Sequence, residues 1–100
     1  MWVSIDFCLI PLGVGVSLSP YIAVCGKIIK ESGLDYEIGP NGTALEGDWD
    51  QVFKCVKSCH DSLHELGSPR IYTTIKINTR SDIKQSFRTK VPNVMSKLDK

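Results

Sequence analysis

The sequence lacks a charge excess of either sign: 12 lysines and arginines stand against 11 aspartates and glutamates, a formal net charge of +1. That balance supplies no basic field to recruit nucleic acid or an anionic membrane surface, so neither is an expected partner. It also lacks any run approaching the ~20 apolar residues of a membrane helix. The apolar start, Met1–Leu12, carries Asp6 and Pro11 and no basic leader, and is not expected to be a signal peptide. No Cys-x-x-Cys occurs, and Cys8, Cys25, Cys55 and Cys59 fall inside strand and helix patterns rather than loops. Each reads as a small buried hydrophobe, not a half-cystine or a metal ligand. Asn41-Gly42-Thr43 has the form of a glycosylation sequon, which carries no weight without secretion. The expectation is a reduced, cytoplasmic protein.

What is present is one domain over residues 1–100, long enough to bury a two-layer core without staples. Val3, Ile5, Phe7 and Leu9 alternate with Ser4, Asp6, Cys8 and Ile10, the period-2 pattern of a first strand ending at Pro11 and Gly13. Ser19-Pro20 supplies an N-cap and a first-turn proline; Ile22, Cys25, Ile28 and Ile29 follow at helical spacing, and Gly33 closes the helix. Leu34, Tyr36 and Ile38 alternate as a second strand, Gly39-Pro40-Asn41-Gly42 forms a turn, and Thr43–Gly47 returns as a third. Asp48 with Gln51 reads as a capping box for a second helix buried through Val52, Val56, Cys59, Leu63 and Leu66, stopped by Gly67. Arg70–Thr79 alternates as a fourth strand. Asp82–Lys90 reads as a short C-terminal helix that Pro92 prevents from running further.

The order β-α-β-β-α-β is the ferredoxin-like α+β motif. Right-handed crossovers then give an antiparallel sheet in the strand order fourth, first, third, second, with both helices on one face. The other, open face would carry Ser4, Asp6, Cys8, Ile10, Ala44, Glu46, Tyr72, Thr74, Lys76 and Asn78. Such a mixture of apolar and charged residues suits packing against a second sheet; the plain alternative is a solvated face. Strands ~4.8 Å apart can bring Asp6, Glu46 and Lys76 into one charged cluster.

Other constellations are weaker. Cys55/Cys59 and His60/His64 are i,i+4 pairs able to share zinc, yet the two pairs are rotated apart and Cys59 lies on the core stripe. His60, Asp61 and the cysteines are helix neighbours that do not face one another as a nucleophile and base would. The glycines of Leu12–Val16 lack the spacing of a phosphate loop. No arginine follows the first strand, as an acylphosphatase would need, and no aromatics stand on the open face of the first and third strands, as an RNA-recognition module would need.

Ile10-Pro11-Leu12-Gly13, Lys30-Glu31-Ser32-Gly33, Gly42-Thr43, Glu46-Gly47, His60, Gly67, Arg70 through Ile77 and Arg80-Ser81-Asp82, taken in register over nearly the whole chain, resemble the small thiamine-binding proteins of archaea, bacteria and fungi. Glu46-Gly47-Asp48-Trp49-Asp50 is most similar to fungal members; the loop Val14–Ser17 is more apolar than the family's. The resemblance implies a homotetramer with sheets packed on one another and a pocket near subunit contacts. It further implies that the pocket takes thiamine or its hydroxymethylpyrimidine part, with no catalytic activity and no cofactor beyond that ligand.

A thiamine site needs an apolar slot, directional polar groups and negative charge near the thiazolium. Tyr72 and Ile10 can line a slot, Thr43, Thr74 and Ser19 can hydrogen-bond, and Asp6 or Glu46 can balance the cation. Lys76 completes the expected charged group. The alternatives are a structural or regulatory oligomer without a small ligand and, last, a hydrolase on the same fold.

Overall fold

A computed structural model describes residues 1–98. Its elements run β1 (Trp2–Leu12), α1 (Ser19–Glu31), β2 (Asp35–Ile38), β3 (Thr43–Asp48), α2 (Trp49–Glu65), β4 (Arg70–Asn78) and α3 (Phe87–Leu98). The four strands form one antiparallel sheet in the order β2-β3-β1-β4, the expected topology.

Period-2 alternation decides what each strand buries. Val3, Ile5 and Phe7 of β1 and Leu45 of β3 point under the helices at 4% exposure or less. There they meet Cys25 and Ile29 of α1 and Val52, Cys55, Val56, Cys59 and Leu63 of α2. Each fully buried aliphatic side chain here stabilises the fold by ~1.5–3 kcal/mol.

Two expected core positions lie outside it: Ile22 and Leu66 are both 53% exposed. Ile22 sits in the first turn of α1, and Leu66 is already the C-cap of α2. The α2 terminus is a Schellman motif, in which Ser68 N–H bonds Leu63 C=O and Gly67 N–H bonds His64 C=O. Its geometry requires the positive φ of 105° that Gly67 adopts.

Both expected N-caps differ in detail. Leu18, not Ser19, is the N-cap of α1, and no side chain caps it. Asp48 does precede α2, but its carboxylate takes the chain's terminal ammonium at 3.2 Å instead of closing a capping box.

The C-terminal helix is the larger correction. Residues 82–85 are not helical; α3 begins at Phe87 and continues through Pro92 to Leu98. Nucleation explains the shift. Ser86 Oγ accepts from Arg88 N–H at 3.0 Å, a cap that the proline's missing bond does not undo. Val91, Val94, Met95 and Leu98 of α3 are all more than half exposed.

Residues leading into α3 lie over one end of the open face. Lys84 Nζ stands 3.9 Å above the Trp2 ring, and Ser86 and Phe87 reach Glu46. Arg88 ties the helix start to the edge strand, bonding Asp35 at 2.9 Å and the Tyr36 carbonyl at 2.6 Å.

Candidate functional site

The two neighbours of β1 stop at different places. Pairing with β3 ends at Phe7–Thr43, whereas pairing with β4 continues to Leu12–Arg70. Cys8–Leu12 therefore has a strand partner on one side only, and its alternate backbone N–H and C=O groups face the β2–β3 hairpin without a ladder. Pro11 is tolerated inside β1 at a stretch with a single neighbour.

The hairpin bends away at this point, closed by Gly39 N–H on Gly42 C=O at 2.8 Å. Because β2 runs parallel to β1, the hairpin and the start of α1 meet at the same end of the sheet. Between them is a cavity of about 280 Å³. Its walls are residues 7–11 of β1, Leu18, Tyr21, Ile22, Cys25, Gly26 and Ile29 around α1, residues 38–43 of the hairpin, and Leu63. The lining is mainly apolar, with the phenol of Tyr21, the amide of Asn41 and the hydroxyl of Thr43 as its directional side chains. None of its residues is charged. Such a site can hold a flat, uncharged ring and read it by hydrogen bonds.

The expected site residues divide around this cavity. Ile10 and Thr43 line it. Asp6 is exposed on the open face beside it, with Oδ1 only 2.6 Å from where a Cβ on Gly42 would stand. Ser19 is exposed in the first turn of α1, next to the lining residue Leu18. Tyr72, at 63% exposure, lies opposite Ile10 on the edge strand, and Thr74 and Lys76 are exposed on the same face. Glu46 is 2% exposed, its carboxylate bonded to Ser86 Oγ and Phe87 N–H.

The expected cluster of Asp6, Glu46 and Lys76 does not form. The register does set Lys76 directly opposite Asp6, but no ion pair joins Lys76 to Asp6 or Glu46. Asp6 leans instead toward Gly42, and Glu46 is engaged by the C-terminal segment.

Tyr21, Asn41 and the free edge of β1 had no sequence signal as site components. Residues 39–42 read only as a turn, and no local pattern states where β3 stops pairing. The topology itself was the available clue, since β-α-β-β-α-β order brings the β1–α1 and β2–β3 connections to one end.

Elsewhere, the cysteine and histidine pairs of α2 face different ways. Cys59 is fully buried; its thiol lies 4.0 Å from the Cys25 carbonyl, and the neighbouring Cys25 and Cys55 thiols, together with burial, push its pKa up. His60 pairs with Thr73 Oγ1 at 2.8 Å, and His64 Nδ1 bonds the Ser68 carbonyl at 2.8 Å. Among the described residues no three metal-ligating side chains gather in one place. A second depression of about 420 Å³ lies between the end of α1 and α2, edged by exposed Glu31, Gln51 and Lys54 and without an aromatic wall.

Comparison with known proteins agrees with this fold. A UPF0045 protein of Synechocystis sp. is 46% identical over 99 residues, covering 99% of this chain and 82% of its own. The UPF0045 protein of Eremothecium gossypii is 39% identical over 95 residues, covering 94% and 90%. The solved structure of a hypothetical protein from Methanocaldococcus jannaschii superposes with a TM-score of 0.86 at 30% identity, covering 94% of this chain and 96% of that one. A Thermotoga maritima structure has the same fold, with a TM-score of 0.81 at 21% identity and coverages of 94% and 99%. The family profile described as thiamine-binding protein matches residues 5–95, and the chain belongs to that family.

Proposed function

We propose that this protein binds thiamine or its hydroxymethylpyrimidine moiety, without catalysis, in the cavity between α1, the free edge of β1 and the β2–β3 hairpin. The observation that carries this reading is the pairing of an apolar slot with an unpartnered strand edge. An aminopyrimidine is a flat ring with alternating donors and acceptors, which such an edge can match as a neighbouring strand would. At about 280 Å³ the cavity lies just below the ~300–1,000 Å³ typical of small-molecule sites. It suits one ring, with the remainder of a larger ligand at its mouth. The family name supports the ligand class, as does the Thermotoga maritima neighbour, whose name provisionally assigns it to thiamine biosynthesis or salvage.

The same reading makes the protein a cytoplasmic homotetramer joined through the open sheet face. Two observations support assembly: Ile10, Leu12 and Tyr72 are uncovered on that face, and the apolar stripe of α3 is uncovered beside it. Among the described residues no helix is long and apolar enough to cross a membrane.

Titration calorimetry and thermal shift with thiamine, hydroxymethylpyrimidine and their phosphates test the ligand, because a ligand selective for the folded state must raise its stability. Heat and a raised melting temperature with at least one of them are expected. No response to any would leave the oligomer without a small ligand as the function.

A further inference from the structure

We infer that Asp6 is the charge-selecting residue of this site, favouring a cationic ligand over a neutral one and excluding an anionic one; this rests on the binding reading above. The cavity wall itself is uncharged, so discrimination by ligand charge must come from its rim. Besides Asp6, the rows of the open face carry Asp35, Glu37, Glu46 and Asp48, and each of these is engaged elsewhere, Asp35 by Arg88 and Asp48 by the terminal ammonium. Glu46 is buried under Ser86 and Phe87. Glu37, in the same cross-strand row as Asp6 through Ala44, is turned to Arg88 at 3.7 Å. Asp6 has no ion-pair partner among the described residues. Its Oδ1 lies against Gly42, a lining residue, where the absence of a side chain lets it approach. Lys76, the one cation opposite Asp6, stands on β4, across β1 from the hairpin.

The start of α1 does not offset this charge. Pro20 has no N–H, and those of Tyr21 and Ile22 are both spent on the Leu18 carbonyl at 3.0 Å. Little is left there to receive a phosphate. With the pyrimidine inside, the thiazolium of thiamine would sit at the mouth near Asp6. The phosphate of a hydroxymethylpyrimidine ester would sit in the same place and be repelled.

The test is calorimetry of the wild type, Asp6→Asn and Lys76→Gln with three probes: thiamine, hydroxymethylpyrimidine and hydroxymethylpyrimidine phosphate. The wild type should bind in that order, with thiamine affinity falling as salt is raised. Asp6→Asn should weaken thiamine by about three- to tenfold, more than it weakens the neutral pyrimidine, and narrow the gap to the phosphate. Lys76→Gln should shift the ratio the opposite way. Ligand binding with the same thiamine-to-phosphate ratio in all three proteins would overturn the role of Asp6 and leave the binding function standing. A wild type that binds none of the probes would overturn both.

Discussion

Ser86 and Glu46, forty residues apart, are joined by a hydrogen bond from the Ser86 hydroxyl to one carboxylate oxygen, while the adjacent Phe87 N–H donates to the other at 3.0 Å. A side chain that alternation assigns to the open face is thereby 2% exposed and serves as the anchor of α3. Carboxylates at a helix N-terminus are stabilised by the unpaired N–H groups and the dipole there. Glu46→Ala should leave a hydroxyl and an N–H unpaired, costing about 1–3 kcal/mol in urea unfolding. It should also expose the 80–88 segment to trypsin at Arg80 and Lys84. Unfolding within ~0.5 kcal/mol of wild type, with unchanged cleavage, would show that the anchor contributes nothing.

Cys8 lines the cavity and is half-buried, whereas Cys25, Cys55 and Cys59 are buried. Titration of the native protein with an aromatic disulfide reagent should therefore find one thiol reacting well ahead of the other three. Saturating thiamine should slow that thiol. Unprotected Cys8 in a sample that calorimetry shows to be liganded would move the ligand to another surface.

His60 should make stability pH-dependent. Burial lowers its pKa from the ordinary 6.5, the neighbouring His64 lowers it further, and Asp61 opposes them only in part. The folded chain thus holds the imidazole neutral after the unfolded chain has taken its proton. This contribution to stability is complete above pH 6.5 and is lost as pH falls from there through the depressed folded value. Urea midpoints between pH 7.5 and 5 should fall more steeply for the wild type than for His60→Gln. Parallel curves would remove His60 as the cause.

Tyr72 tests assembly. At 63% exposure in the isolated chain, Tyr72→Glu should be nearly neutral for a monomer. In a tetramer joined through the open face it would bury an unpaired charge and break the assembly. Light scattering at micromolar concentration should give a tetramer for the wild type and a smaller species for the variant. A monomeric wild type would return the open face to solvent.

Lys76→Met separates two versions of the same face. In the chain as described, the exposed lysine makes no ion pair with Asp6 or Glu46, so its loss should change unfolding by no more than ~0.5 kcal/mol. A much larger loss, appearing only in the assembled protein, would mean that a second copy covers it.

The sequence by itself determined the element order, the strand faces and the stops of α1 and α2. Val3, Ile5 and Phe7 alternate inward because the strand period is 2, and Gly67 ends α2 because its Schellman motif needs positive φ. These are decided by residues a few positions apart, and local pattern reports them. Tertiary structure alone decided three other things: that Glu46 is buried under Ser86, that the start of α3 is held against Glu46 and Asp35, and that β1 loses its β3 neighbour after Phe7 and so opens a cavity. Each depends on the meeting of segments distant in the chain. The free energy of such a meeting comes from desolvation and hydrogen bonds formed on contact, for which the separate segments carry no periodic trace.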